Sequence, residues 1–146
     1  MLARMSLDLS DETEDRLRSV ATATLAGVLQ KRGIRSTFLS GLGPIKPGQR
    51  MLGRARTLRY LPMREDLIDR FASRQNEQRT VVEALQPGDV LVIEARNETD
   101  AGTIGDIYAM RAIQLGATGI VTDGAVRDSP ALRAMDIPVY HRAQHA

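Results

Sequence analysis

Three side chains late in the chain have the types and spacing to handle an anionic substrate and a hard cation: Asp106, and the adjacent pair Arg127-Asp128. A carboxylate holds a proton, a water or a hard cation, and magnesium commonly takes only one or two protein carboxylates while keeping several waters. A guanidinium presents a planar fork that fits a carboxylate or a developing enolate oxygen. Each residue also has an ordinary role open to it. Asp106 at the start of a helix complements the helix dipole, a stabilisation of roughly 0.3–1 kcal/mol. Arg127 is equally suited to be a solvated turn residue, and Asp128 a helix-start residue before Ser129. Spacing alone does not choose between these roles, because an acid–arginine pair recurs by accident.

The elements around these residues give them a common address. Val90-Leu91-Val92-Ile93-Glu94-Ala95 reads as a buried strand running into the polar, glycine-bearing stretch from Asn97 to Gly105. A helical pattern from Asp106 stops at Gly116, and a second buried strand, Gly119-Ile120-Val121-Thr122, ends at Asp123-Gly124. Strand–helix–strand units of this kind place their strands parallel with a right-handed crossover. Ligands of such sheets collect outside the carboxyl ends of the strands. Asp106, Arg127 and Asp128 therefore converge on one pocket, with free amides of Gly105, Asp106 and Ile107 turned toward an anionic group.

Composition narrows the classes. The chain has 146 residues, 42% hydrophobic and 26% charged, in the range of an ordinary globular protein. A net charge of +2 with interleaved signs, and 3% aromatic residues, gives neither a basic footprint nor a stacking platform for nucleic acid. No apolar run approaches a membrane span, and Met1 to Asp11 lacks the apolar core of a signal peptide. The absence of cysteine suits a reducing cytoplasm. The expectation is a cytoplasmic single domain over 1–146, with N-terminal helices over 1–34 and a β/α core over 50–146.

Ser10 with Asp11, Glu12 and Glu14 opens a short helix. A second, from Thr22 to Lys31, carries Leu25, Val28 and Leu29 on one face and closes at Gly33. Met51 to Leu61 reads as a strand studded by Arg54, Arg56 and Arg59, and Met63 to Asn76 as a loop with a helical turn or two. Val81, Val82 and Leu85 indicate a short helix before Pro87-Gly88-Asp89. Gly102-Thr103-Ile104-Gly105 reads as a flexible loop, and Asp123-Gly124 as a sharp turn beside a ligand. Ser129-Pro130 reads as an N-cap with proline at the first helical position, and Pro138-Val139-Tyr140 as the start of a third parallel strand. His141 and His145 fall in a tail that reads as frayed. Because the strand–helix alternation stops at Ala146, a C-terminally truncated domain is expected.

Gly105-Asp106-x-x-Ala109, then Gly116-x-x-Gly119-x-Val121-x-Asp123-Gly124-x-x-Arg127-Asp128, then Ile137-Pro138-Val139 resembles the family of the regulator of ribonuclease activity A, which also contains divalent-metal 4-hydroxy-4-methyl-2-oxoglutarate aldolases. The resemblance extends more weakly through Thr22 to Leu29, Gly53 to Leu58 and Pro87 to Val92. It implies an α/β fold, a swivelling-type β/β/α sandwich containing a parallel β-α-β-α-β unit, and a homotrimer or hexamer with active sites between subunits. In the aldolase branch, the resemblance makes Asp128 the ligand of Mg2+ or Mn2+, Arg127 the partner of the pyruvate moiety, and Asp106 the residue that orients a water on the metal. Amides around Gly105, Ile107 and Tyr108 would contact the substrate carboxylate. Two departures bear on activity: an acidic residue that a neighbouring subunit contributes lies in a C-terminal portion this chain lacks, and Gly27 stands where many relatives carry an aspartate.

The function so implied is a metal-dependent aldolase or decarboxylase that cleaves a C–C bond of a 2-oxo acid, of the 4-hydroxy-4-methyl-2-oxoglutarate or oxaloacetate type, and releases pyruvate. A different class stands beside it, a non-catalytic regulator that binds and inhibits a ribonuclease. An inactive fragment of the aldolase is the third.

Overall fold

The computed structural model describes residues 9–67 and 77–145. The chain divides into two compact units, Met1–Ser40 and Gly41–Ala146. In the first, helix α1 (Asp11–Ser19) begins at Ser10, whose hydroxyl accepts from the Thr13 amide at 3.3 Å. Helix α2 (Thr22–Lys31) ends as expected at Gly33. Neither helix buries a residue.

The second unit carries the sheets. Strands β1 (Gly43–Pro44), β2 (Arg54–Arg59), β3 (Asp89–Glu94), β5 (Gly119–Thr122) and β7 (Val139–His141) form one sheet in the order β1-β7-β5-β3-β2. All its neighbours are parallel except β1 against β7. The central strands are continuous apolar runs because a parallel sheet is covered on both faces; every residue of β5 is buried. A second, wholly parallel sheet is built from β4 (Gly102–Ile104), β6 (Ala125–Val126) and β8 (Ala143–Gln144), in that order. The helices are α3 (Glu77–Glu83), α4 (Asp106–Gln114) and α5 (Ser129–Ala134). Strands β3, β5 and β7 each feed a short one, and β3-β4-α4 and β5-β6-α5 repeat one strand–strand–helix module. This is the expected β/β/α arrangement, and β3-α4-β5-α5-β7 is its parallel β-α-β-α-β unit.

The core joins both sheets to the helices: Leu91, Ile93, Ile120 and Val139 from the long sheet, Ile104 and Val126 from the short one, and Ala109, Ala112 and Leu132 from the helices. Full burial of each large aliphatic side chain contributes about 1.5–3 kcal/mol. The alanines let α4 lie close to its neighbours, and Gly116 at φ 81° stops it. There the Ala117 amide donates to the Ala112 carbonyl at 3.0 Å, the closing bond of a glycine-terminated helix.

The structure departs from the sequence reading in several places. The strand expected from Met51 to Leu61 is shorter, Arg54–Arg59, and lies at the sheet edge with only Leu58 buried. Arg54 and Arg56 face Asp89, and Arg59 pairs with Glu94. A 3-10 turn spans Glu65–Leu67; the rest of the loop read from Met63 to Asn76, residues 68–76, lies outside the described residues. Gly102-Thr103-Ile104 is a strand rather than a flexible loop, because β6 beside it takes up its backbone. Asp123 is structural: its carboxylate accepts from the amides of Ala95 and Asn97, stitching the end of β3 to the end of β5. The histidine-bearing tail is ordered by pairing of β8 with β6, and His141 is buried with Nδ1 3.0 Å from the Gly43 carbonyl. Among the described residues no helix is long and apolar enough to cross a membrane.

Candidate functional site

Ile104 and Val126 are register partners at the ends of β4 and β6, so Gly105-Asp106 and Arg127-Asp128 leave adjacent strands side by side. The Arg127 amide donates to the Ile104 carbonyl at 3.0 Å and carries the ladder one step further. The exits that matter thus belong to the short sheet, not to the long strands β3 and β5 as the apolar runs suggested.

Asp128 is one of three non-glycine residues with a positive φ among those described, beside Arg96 and Asn97 in the turn after β3, and it is the one that lines a cavity. Its φ of 55° and ψ of 35° are left-handed, a conformation that aspartate tolerates better than most residues but that still carries a cost. It occupies the N-cap position of α5, displacing the expected Ser129-Pro130 cap by one residue, yet its side chain makes no capping hydrogen bond there. Instead Oδ2 accepts from the Asp106 amide at 3.3 Å, at the first turn of α4, and lies 3.8 Å from Nε of Arg127. The left-handed backbone turns the carboxylate away from its own helix and onto the neighbouring one.

Gly105 is what permits this approach. A Cβ there would run into Oδ2 of Asp128 and would sit 2.9 Å from both Cγ and Nε of Arg127. Any side chain at 105 therefore displaces both functional groups.

These residues open onto a cavity of about 570 Å³. One wall is the start of α4, with Gly105, Asp106, Ile107 and Tyr108; Arg127 and Asp128 form the next. Their side chains are 54% and 43% exposed, leaving both able to meet a solute. The far wall comes from α3 and α4: Arg79, Glu83, Met110, Arg111 and Gln114. Arg111 Nη2 binds Glu83 Oε2 at 2.6 Å, and this hydrogen bond holds the Glu83 carboxyl below the usual carboxylate range. Behind the site the Tyr60 hydroxyl donates to the Thr103 carbonyl at 3.3 Å. Burial pushes the Tyr60 phenol up to about 12, with Tyr108 adding to the rise and Arg127 opposing it.

Three carboxylates line this cavity; Glu83 is taken up by Arg111, which leaves Asp106 and Asp128 to hold a cation. Among the described residues no group of three or more His, Cys, Asp or Glu is placed to hold a metal ion. That donor set does not make a closed zinc site. It fits a hard cation that takes one or two carboxylates and fills its shell with water and substrate oxygens.

Sequence reasoning named the residues at the two strand exits but missed the far wall. No motif marks Arg79, Glu83, Met110, Arg111 or Gln114; only the packing of α3 against α4 gathers them.

Residues 8–146 match the family model described as RraA-like, Aldolase/RraA. The fold superposes on Streptomyces coelicolor RraAS2, described as an unusual member of the RNase ES inhibitor RraA protein family, with a TM-score of 0.83 and 34% identity, over 93% of this chain and 65% of that one. A Halalkalibacterium halodurans protein provisionally named a 4-hydroxy-4-methyl-2-oxoglutarate aldolase is 29% identical over 130 residues, 87% of this chain. The chain spans 54% of that relative's length. The RNA-processing inhibitor RraA from Thermus thermophilis shares the fold, with a TM-score of 0.65 at 24% identity, over 86% of this chain and 68% of that one. With almost the whole chain matched and the fold shared, the protein belongs to the RraA-like family.

Proposed function

We propose that the protein is a divalent-metal-dependent lyase that cleaves a C–C bond of a 2-oxo acid, of the 4-hydroxy-4-methyl-2-oxoglutarate or oxaloacetate type, and releases pyruvate. The observation that carries this reading is the conformation of Asp128: a left-handed backbone aims its carboxylate into a cavity shared with Arg127 and Asp106 rather than onto its own helix. Strained backbone of this kind costs of order 1–3 kcal/mol and clusters where function demands it.

Asp128 is the residue that would hold Mg2+ or Mn2+, with Asp106 nearby. The bound cation supplies Lewis-acid polarisation of the 2-oxo group. Arg127 faces the same oxo group and the adjoining carboxylate, and its fixed positive charge stabilises the negative charge that develops as the C–C bond breaks. Amides at the start of α4, at Gly105, Ile107 and Tyr108, receive the substrate carboxylate, where the helix dipole favours an anion. The Asp106 carboxylate positions the water that takes the proton from the substrate's hydroxyl as the C–C bond is cleaved, the retro-aldol direction. Oxaloacetate decarboxylation needs no such base, so it depends less on Asp106.

The test is pyruvate formation from oxaloacetate and from 4-hydroxy-4-methyl-2-oxoglutarate, with Mg2+ or Mn2+ and with chelator. Pyruvate that appears with metal and stops with chelator supports the reading; none from either substrate with either metal sinks it. A second reading is favoured by the 34% identity to RraAS2: a non-catalytic regulator that binds and inhibits a ribonuclease. Tight capture of a purified ribonuclease, with no divalent-ion binding, would put that reading first.

A further inference from the structure

The pairing of β4 with β6 is irregular, and the irregularity sits at Thr103. Gly102 faces Ala125 and Ile104 faces Val126, with a shift of register between them, so Thr103 has no partner across the ladder. Such a bulge leaves a backbone group outside the sheet and re-aims the residues downstream of it. Here the downstream residues are Ile104-Gly105-Asp106, the turn that faces Arg127 and Asp128.

An unmatched carbonyl inside a fold is costly unless something donates to it. The Thr103 carbonyl accepts from two side chains of distant elements. Gln78 Nε2, from α3, reaches it at 2.7 Å, and the Tyr60 hydroxyl, just past β2, at 3.3 Å. The Thr103 hydroxyl donates to the Ala125 carbonyl at 2.9 Å and lies 3.1 Å from the Thr122 hydroxyl, which in turn accepts from the Gly124 amide at 3.1 Å. Thr103 therefore gathers β2, α3, β4, β5 and β6 at one point immediately behind the cavity.

We infer that Tyr60 and Gln78 are positioning residues: their shared hydrogen bonds to the Thr103 carbonyl hold the β4 bulge, and the bulge sets the Gly105-Asp106 turn against Arg127 and Asp128. Neither side chain lines the cavity, so neither touches a ligand there. The inference deepens the lyase reading and rests on it for its catalytic consequence, while its structural half stands independently.

Both halves are read with Tyr60→Phe, Gln78→Met and the double variant, each screened first for thermal stability. Either donor alone still satisfies the carbonyl, so each single variant loses about threefold in kcat for pyruvate release with KM little changed. The double variant loses about a hundredfold, well beyond the roughly tenfold product expected of independent sites, as misplacement of a reacting group by an ångström does. Amide exchange followed by NMR gives a readout that needs no turnover. The Arg127 amide, bonded to the Ile104 carbonyl, and the Asp106 amide should exchange about tenfold faster in the double variant while amides of β5 stay protected. Unchanged exchange at Arg127 and Asp106 in a folded double variant overturns the inference, as does a loss of kcat that tracks thermal stability alone. Should the double variant not fold, the single variants decide in about 1–2 M urea below the unfolding transition, where each should exchange about threefold faster than wild type at Arg127 and Asp106, and no change in both overturns the inference. A wild-type protein that makes no pyruvate defeats the lyase reading but leaves the exchange result to decide the clamp.

Discussion

The two sheets treat their acidic residues in opposite ways. In the long sheet, Asp89 is 3% exposed, its Oδ2 accepts from the Gln86 amide at 2.9 Å, and Arg54 and Arg56 close over it at 3.6 and 3.4 Å. Asp123, at the end of β5, uses both oxygens on the amides of Ala95 and Asn97. At the exits of the short sheet, Asp128 makes one long hydrogen bond, keeps 43% of its side chain exposed and holds a left-handed backbone. The contrast teaches where to look for chemistry in this fold. A carboxylate whose lone pairs are taken by backbone amides maintains a turn, whereas one held in an unfavourable conformation and left open to a cavity is available to a ligand.

The contrast breaks or sharpens under substitution. The largest effect is expected at the short-sheet exits: Arg127→Ala and Asp128→Ala each lower metal-dependent pyruvate release by about a thousandfold or more, the upper range for a lost charge-stabilising group. Thermal denaturation of both should stay close to wild type, since neither side chain is buried; undiminished turnover in either would refute the assignment. Gly105→Ala comes next. Its methyl group forces Asp128 and Arg127 aside, and activity should fall about a hundredfold, the scale of a misplaced reacting group; a fully active Gly105→Ala protein would mean the observed closeness is not needed.

Long-sheet changes should show the reverse pattern. Asp89→Asn weakens bonds to a charged acceptor and should lower unfolding free energy in urea by about 2 kcal/mol while kcat below the transition is preserved. A stable but inactive Asp89→Asn protein would erase the distinction between the sheets. The smallest effect is alkaline. Tyr60 has its folded pKa raised from 10.0 to about 12, so the folded state binds the proton more tightly. Its contribution is intact below the unfolded pKa and declines as pH rises through the folded value. Stability should therefore fall between pH 10 and about 12, and the slope should shrink in Tyr60→Phe when urea titrations are compared across that window.

Much of the architecture is legible in the residues themselves. Leu91 to Ile93 and Gly119 to Thr122 are unbroken apolar runs because parallel strands are covered on both faces, and Gly116 marks the end of α4 because its backbone is left-handed. The pairing of Asp106 with Arg127-Asp128 came from strand–helix–strand order. The short sheet did not, because strands of two or three residues, Ala125–Val126 and Gly102–Ile104, are too brief to show a periodicity. Asp123 and Asp128 look alike in sequence, each beside a glycine or a helix start. Which of them faces amides and which faces solvent depends on the register of β6.

The amino-acid order alone determined the alternation of buried strands and helices, the family, and the residues that leave the strand ends, because local patterning and turn chemistry act over a few residues. Only the tertiary structure decided that the Thr103 carbonyl lies outside its ladder, that Tyr60 and Gln78 reach it, and that Arg79, Glu83 and Arg111 wall the same cavity as Asp128. Those contacts join residues far apart in the chain, and their existence depends on strand register and helix packing rather than on any local preference.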